Sequence, residues 1–350
     1  MKFLSNKIVR VYCLLFFAVL FFLIVQTLIC GEVKFVFLKG VLRYFSYLSC
    51  ALYVSTLNSR KILLFFKICI LFLILTLPFC VFQIQTTGRY NSIFPHANHL
   101  GYVLVICSYF VLKYKPFKII KNSLILWILI ISLILTASTG SFLTFSLLAF
   151  HYYYFSIRKY FMRIFVSCFL LLGIFSFILF SSKITAQLDS LQYIDFKFLF
   201  DTAMSQQSSD HYTLSSDYGS FIWRVIYWFN ILISFFDNNL WVLIFGEGID
   251  TLTKDYYVYK FMYTDPHNDY VKVIVEFGFL GFGLFLLLLS HLYAIFKSLD
   301  VLIIFMVPFF FANIIISWPF NMLIILYLIY AFYRTCELNN LKYNYNIKNN

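Results

Sequence analysis

Residues 62–82 read ILLFFKICILFLILTLPFCVF, a run of 21 residues in which Lys67 carries the only charge. A helix needs about 20 apolar residues to cross the hydrocarbon core of a bilayer. An isolated segment in lipid must also satisfy its backbone polar groups internally, which a helix does. The segment therefore predicts a transmembrane helix.

Similar runs recur along the chain and predict an all-α polytopic transmembrane helical bundle of about ten spans. The second run contains Lys39 and Arg43, so it either starts later or lets these side chains snorkel to the interface. The first run is not followed by a small-residue cleavage site, which favours a retained span over a removed signal peptide. The candidate spans are 11–30, 35–57, 62–82, 98–113, 123–138, 141–157, 164–181, 270–295, 300–317 and 320–334.

Composition supports the membrane assignment. The chain of 350 residues is 62% hydrophobic and 12% charged, whereas soluble domains carry about 25% charged residues. The net charge of +12 lies mainly in short clusters between apolar runs. This pattern is typical of the lysines and arginines that orient a membrane protein, and it excludes a nucleic-acid-binding surface.

The basic clusters predict that both termini are cytoplasmic. The chain then divides into N-terminal transmembrane helices (1–181), a large external loop (182–269), C-terminal transmembrane helices (270–334) and a cytoplasmic tail (335–350), whose Asn-rich end from Asn339 to Asn350 is expected to be flexible. Within the loop, residues 221–245 are apolar enough to form one or two amphipathic helices on the membrane surface, or a pair of short re-entrant segments. No internal repeat and no inverted pair of broken helices is visible, which argues against a transporter.

Three stretches combine polar residues with a position at the external membrane edge. They are GRYNSIFPHANH (88–99), Trp223-Arg224 and DPHNDY (265–270). His96 and His99 are spaced i, i+3, but no carboxylate or cysteine ligand accompanies them in a metal-binding pattern. The sequence therefore predicts no metal site, and it shows no acidic pair of the kind that nucleotide-sugar transferases use.

The order of these motifs resembles the O-antigen polymerase and O-antigen ligase superfamily of bacterial inner-membrane glycosyltransferases. The resemblance rests on G-R-x-x-x-x-F-x-H-x-N from Gly88, the small-residue turn 138–141 (STGS), the turn 246–248 (GEG) and H-N-D-Y…E-F-G-F-L-G from His267 to Gly281. Such enzymes move a glycan from an undecaprenyl-pyrophosphate carrier to an acceptor hydroxyl. The resemblance thus implies a metal-independent glycosyltransferase without a cofactor, with its active face in the periplasm.

The resemblance also implies roles for individual residues. Arg224 and Arg89 would hold the pyrophosphate leaving group, because arginine stays charged and binds phosphate oxygens bidentately. His267 would take the proton of the acceptor hydroxyl. The predicted substrate-binding residues are His96, Asn98, Asn268 and Glu276. A carboxylate such as Glu276 inside a span needs a partner, either a substrate group or Lys272 one turn earlier.

Three functions remain open at this point. The first is an O-antigen polymerase, which extends lipid-linked repeat units; the second is an O-antigen ligase, which delivers glycan to lipid A-core. Many ligases carry an arginine directly after the serine of the small-residue turn, where this chain has Thr139, so that Arg89 would have to substitute. The third is a flippase or other transporter of lipid-linked glycan. The implied partners are an undecaprenyl-pyrophosphate-linked oligosaccharide and the lipid bilayer, with a chain-length regulator and a flippase as further candidates.

Overall fold

The fold is described from a computed structural model. It covers residues 17, 21–22, 24–26, 35–87, 89–94, 96–156, 211–253, 256–259, 262, 265–296, 298–312, 315 and 317–349. The long elements in these ranges are all helices, which confirms the all-α prediction. The exception is a two-residue hairpin of β1 (Leu252–Thr253) and β2 (Tyr256–Tyr257), paired antiparallel. The predicted span 164–181 and most of the span 11–30 lie outside the described residues.

The helices that correspond to predicted spans begin within three residues of them. In chain order the helices are α1 (Phe35–Thr56), α2 (Ser59–Leu75), α3 (Cys80–Thr87), α4 (Ala97–Tyr114), α5 (Asn122–Leu135), α6 (Thr139–Ser156), α7 (His211–Phe236), α8 (Leu240–Phe245), α9 (Asp269–Phe296), α10 (Leu299–Phe311) and α11 (Trp318–Asn349). Helices α2 and α10 end six or seven residues before the predicted ends, whereas α11 continues beyond its own. A 3₁₀ turn at Leu77–Phe79 links α2 to α3. The flexible end predicted from Asn339 is wrong, because α11 continues to Asn349.

In the part of the chain that the structure describes, three helical segments are long and apolar enough to cross a membrane: Ser59–Phe79, Asp269–Phe296 and Pro319–Glu337. Asn122–Leu135, Arg224–Phe236 and Leu299–Phe311 are apolar but shorter. The chain is thus a multi-pass membrane protein, and a total of ten spans stays a prediction.

Two apolar cores hold the helices together. The larger is built around α4, almost every residue of which is buried between Leu100 and Leu112; here Phe66 of α2 stacks on Phe110 with ring centroids 3.9 Å apart. The smaller joins α7, α8 and α9 through residues such as Ile231 and Val275, both 0% exposed.

One end of the larger core is closed by a buried carboxylate, Asp300 at the start of α10. Its Oδ2 atom accepts hydrogen bonds from the hydroxyls of Tyr109 at 2.9 Å and Tyr327 at 2.6 Å, and from the ammonium of Lys113. Because these donors lie on α4 and α11, Asp300 ties three helices together. On the predicted topology this is the cytoplasmic end.

Helix α9 is broken at Gly278, whose φ of 66° is left-handed. The break exposes the carbonyl oxygens of Val275 and Glu276, which need new donors. The turn after α8 supplies them: the amide of Glu247 donates to Val275 at 2.8 Å and that of Gly248 to Glu276 at 3.3 Å. This contact lies roughly 10 Å along α9 from its start. The turn 246–248 therefore packs directly against the break in α9.

We expect Gly278→Ala to destabilise the protein strongly. A Cβ atom at Gly278 would overlap the carbonyl oxygen of Ile244, and a left-handed alanine adds about 1–2 kcal/mol of strain. With overpacking of about 1–3 kcal/mol, the free energy of unfolding should fall by roughly 2–5 kcal/mol in chemical denaturation of the purified protein. Gly283→Ala is the matched control, because a Cβ there meets nothing within 4 Å. Equal stability of the two variants would contradict the tight crossing of α8 and α9.

Candidate active site

The predicted polar stretches gather where α4, α6 and α9 begin. Gly101 of α4 lies so close to the start of α6 that a Cβ atom would overlap Ser141. Asp269, the first residue of α9, interacts electrostatically with Tyr102 of α4. Each helix N-terminus carries a partial positive charge of about half an electron, so this end of the bundle favours anions.

Arg89 is fixed beside the small-residue turn 138–141. Its Nε atom donates to the carbonyl oxygen of Thr136 at 3.2 Å, and an Nη atom donates to that of Ala137 at 2.6 Å. The next residue, Tyr90, donates its amide to Leu135 at 3.1 Å. The loop before α4 is thereby tied to the end of α5. Partial burial lowers the pKa of Arg89 from its ordinary value, but the guanidinium stays charged near neutral pH because the ordinary pKa of arginine lies far above neutrality.

Tyr102 lies at the centre of this end of the bundle and is 1% exposed. Its hydroxyl hydrogen-bonds to Ser141, whose own hydroxyl is 2.8 Å from that of Ser138. A Cβ atom on Gly140 would overlap the Tyr102 hydroxyl. The small residues of the turn are therefore needed so that α4 and α6 can approach closely. Sequence reasoning did not predict a role for Tyr102, although the small residues of the turn 138–141 could have indicated that a large side chain packs against them.

Arg224 of α7 lies in the region of Tyr102. Burial lowers its pKa; the hydroxyl of Tyr102 acts in the opposite direction, and the positive charge of Arg89 lowers it further. These electrostatic interactions place Arg224 in the same region as Arg89 and Tyr102. Since like charges are costly to hold together in a half-buried place, this end of the bundle is electrostatically prepared for an anion.

The segment that carries His267 is anchored on both sides. The indole N–H of Trp228 donates to the carbonyl oxygen of Pro266; Trp228 is one helical turn after Arg224 on the same face of α7. Asn268 is 3% exposed and caps α9, its Oδ1 atom accepting from the amides of Tyr270 at 2.9 Å and Val271 at 3.2 Å. His267 sits between these anchors in a left-handed conformation with φ 50°. The residue before His267 is thus held against α7, one helical turn from Arg224.

His96 and His99 form an edge-to-face pair with ring centroids 5.5 Å apart. They flank the first turn of α4 together with the half-buried Asn98. In the ranges that the structure covers, no three His, Cys, Asp or Glu side chains are grouped to hold a metal ion.

Glu276 lies deeper, in a buried ion network. Its Oε1 atom is 3.2 Å from the ammonium of Lys272, which is one of the two partners expected from the sequence, and it accepts from the amide of Leu252 at 3.1 Å. Lys272 is also 3.6 Å from Asp250, which is paired at 2.6 Å with Arg43 of α1. The other expected partner was a substrate group; the side chain of Glu276 is 0% exposed and lies within this ion network.

Arg43 corrects a sequence expectation. The sequence left two possibilities for the second predicted span: a start after Arg43, or a snorkelling Arg43. Neither holds, because the corresponding helix α1 begins at Phe35 and Arg43 is paired inside the protein with Asp250. The pair is 207 residues apart in sequence, and no local pattern could have shown it.

Residues 124–286, from α5 to the second half of α9, match the family model described as O-antigen ligase. The matched part contains the turn 138–141, Arg224, His267 and Glu276, whereas Arg89, His96 and Asn98 precede it. No curated protein and no solved structure matches the chain. The match agrees with the motif order read from the sequence, and it supports the O-antigen ligase and polymerase superfamily for this part of the chain.

Proposed function

We propose that the chain is an O-antigen polymerase. It transfers a growing glycan from undecaprenyl pyrophosphate to a lipid-linked repeat unit at the periplasmic face of the bacterial inner membrane, with both of its termini in the cytoplasm. The observation that carries the proposal is the convergence of Arg89 and Arg224 on Tyr102 and the turn 138–141, where α4, α6 and α9 begin.

The chemistry needs fixed positive charge, because the leaving group is a pyrophosphate. Arg89 and Arg224 supply it, and both remain protonated at any physiological pH. The N-termini of α4, α6 and α9 add partial positive charge in the same region. Stabilisation of the departing pyrophosphate by each preorganised donor is worth about 3–4 kcal/mol. The two arginines thus do the work for which nucleotide-sugar transferases recruit a metal ion.

His267 is the proposed general base. A hydroxyl of the acceptor sugar attacks the anomeric carbon of the donor glycan, and its proton passes to the neutral imidazole. As the new carbon–oxygen bond forms, the bond from the anomeric carbon to the phosphate oxygen breaks, and undecaprenyl pyrophosphate leaves with the bonding electrons. Asn268 positions His267 by capping α9, while His96 and Asn98 line the glycan side of the site.

A ligase is the second candidate, because the matching family is described as O-antigen ligase. Against it stands Thr139, where many ligases place an arginine, although Arg89 reaches the carbonyl of Ala137 two residues before. Deletion of the gene tests the choice through the lipopolysaccharide of the cells. A polymerase deletion leaves core bearing one repeat unit, and this is the result we expect. Bare core would identify a ligase.

A flippase is less well supported. A transporter needs charged groups that line a path through the middle of its spans. Here Arg43, Asp250, Lys272 and Glu276 pair with one another, and the broken part of α9 is filled by the backbone of the turn 246–248. Vesicles that move labelled lipid-linked repeat without chain growth would favour a flippase. A separate flippase and a chain-length regulator remain candidate partners of the polymerase.

A further inference from the structure

The loop that joins α4 to α5, residues 115–121 (KPFKIIK), exposes apolar and basic side chains together. Ile119 is 99% exposed and Ile120 42% exposed, and Lys115, Lys118 and Lys121 are exposed beside them. The loop contains no acidic residue. None of these residues belongs to the proposed active site.

The loop is well anchored despite its exposed side chains. The side chain of Asn122 binds the backbone of Phe117 twice. Its Oδ1 atom accepts from the amide of Phe117 at 3.0 Å, and its Nδ2 atom donates to the carbonyl oxygen of Phe117 at 2.8 Å. The ring of Phe117 packs against the main core, with the ammonium of Lys67 5.9 Å from its centroid. The side chain of Phe117 thus points into the protein, while those of Ile119 and Ile120 point outward.

The position of Lys67 gives the depth of the loop in the membrane. Lys67 is eight residues after Ser59, where the candidate span Ser59–Phe79 begins, so Phe117 lies about 12 Å along that span. The adjoining helix α5 has only 14 residues, or about 21 Å, against a hydrocarbon core of about 30 Å. From these lengths we expect the loop to lie within one leaflet, with its isoleucines toward the acyl chains and its lysines toward the headgroups.

The lysines are also distinct in having no internal counter-ion. Lys113 pairs with Asp300, and Lys272 with Asp250 and Glu276. Within the described ranges, Lys67, Lys115, Lys118 and Lys121 form no ion pair with a carboxylate. Four cations around two lipid-exposed isoleucines fit a ligand that is anionic at one end and apolar at the other.

We propose that residues 115–121, together with Lys67, form a binding site for anionic phospholipid in the leaflet opposite the active site. Lys118 and Lys121 bind the headgroup phosphate, while Ile119 and Ile120 pack against the acyl chains. Because α4 carries Tyr102 near its other end, such a lipid holds the helix that supports the active site.

Native mass spectrometry of the full chain with added phosphatidylglycerol tests the site. Removing two lysines, each contributing about a factor of five near an anionic surface, should weaken the binding of the tightest phosphatidylglycerol by roughly 30-fold. We expect this for Lys118→Gln/Lys121→Gln, with unchanged thermal unfolding. Ile119→Ser/Ile120→Ser should also weaken binding, although it leaves every charge in place.

The matched control is Arg60→Gln/Lys61→Gln, which removes two exposed charges at the start of α2, on the same side of the membrane. It should keep the tight lipid. Equal loss in the control and the loop variant, or retention of the lipid by Lys118→Gln/Lys121→Gln, would overturn the proposal. So would equally tight binding of phosphatidylcholine, or displacement of the lipid by millimolar inorganic phosphate. The single variant Lys118→Gln repeats the test with a smaller loss of about fivefold.

Discussion

Cells in which His267 is replaced by asparagine are expected to make no long O-antigen chains, while core bearing a single repeat unit persists. An imidazole near neutral pH accepts a proton, whereas an amide does not, and loss of a general base costs about 10²–10⁴-fold in rate. Asparagine is the sharper substitution because His267 has φ 50°, a conformation that asparagine tolerates. His267→Ala should give the same loss, with an added backbone cost of about 1–2 kcal/mol.

The matched control for this prediction is His291→Ala. His291 is exposed and lies on α9, the helix that follows the His267 loop. It lies roughly 33 Å along α9 from its start, so it should leave chain length unchanged. Protein abundance in the membrane must be equal in all variants. Full-length polymer made by His267→Asn would show that another group takes the proton.

The second large effect is expected for Asp250→Asn, measured as the free energy of unfolding in detergent. Asp250 is 0% exposed and faces both Arg43 and Lys272. Removing one partner from a buried ion pair leaves an uncompensated charge, which costs about 3–5 kcal/mol. Asparagine keeps the shape of the side chain and suits the left-handed φ of 64° at this position, so the loss reports on the charge.

A double variant separates charge from packing in this network. Arg43→Gln with Asp250→Asn removes one charge of each sign, so it should be more stable than the sum of the two single variants predicts, by at least about 1 kcal/mol. The exposed pair of Arg334 and Glu337, at 50% and 47% exposure, is the comparison. Glu337→Gln should cost about 1 kcal/mol or less. A loss of that size for Asp250→Asn would mean that the network contributes little.

Helix positions were predictable because an apolar run in lipid has few alternatives to a helix. The ends of α4, α5 and α6 fall within three residues of the predicted spans. The break in α9 was not predictable, since residues 269–296 are apolar on both sides of Gly278 and the donors that replace its lost hydrogen bonds lie about 30 residues earlier. The Asn-rich end was predicted to be flexible because its polar composition gives no indication that α11 continues through it.

The site was predictable where residues lie next to a helix start in sequence. Arg89, Arg224 and the segment around His267 were found as polar groups at membrane edges. Sequence could not show that Arg89 would reach the turn 138–141, because that contact spans nearly 50 residues. The partners of Asp250 were equally hidden. Long-range pairing depends on how helices pack, which a hydrophobic pattern does not encode.

We infer that this chain itself extends a lipid-linked glycan. Elongation by the purified protein can be measured in liposomes that contain undecaprenyl-pyrophosphate-linked repeat units, with EDTA present. We expect a ladder of products, one undecaprenyl pyrophosphate released per added unit, and no ladder with Arg224→Gln. Repeat units that stay unextended by the folded protein, or glycan that appears only on added lipid A-core, would contradict the claim.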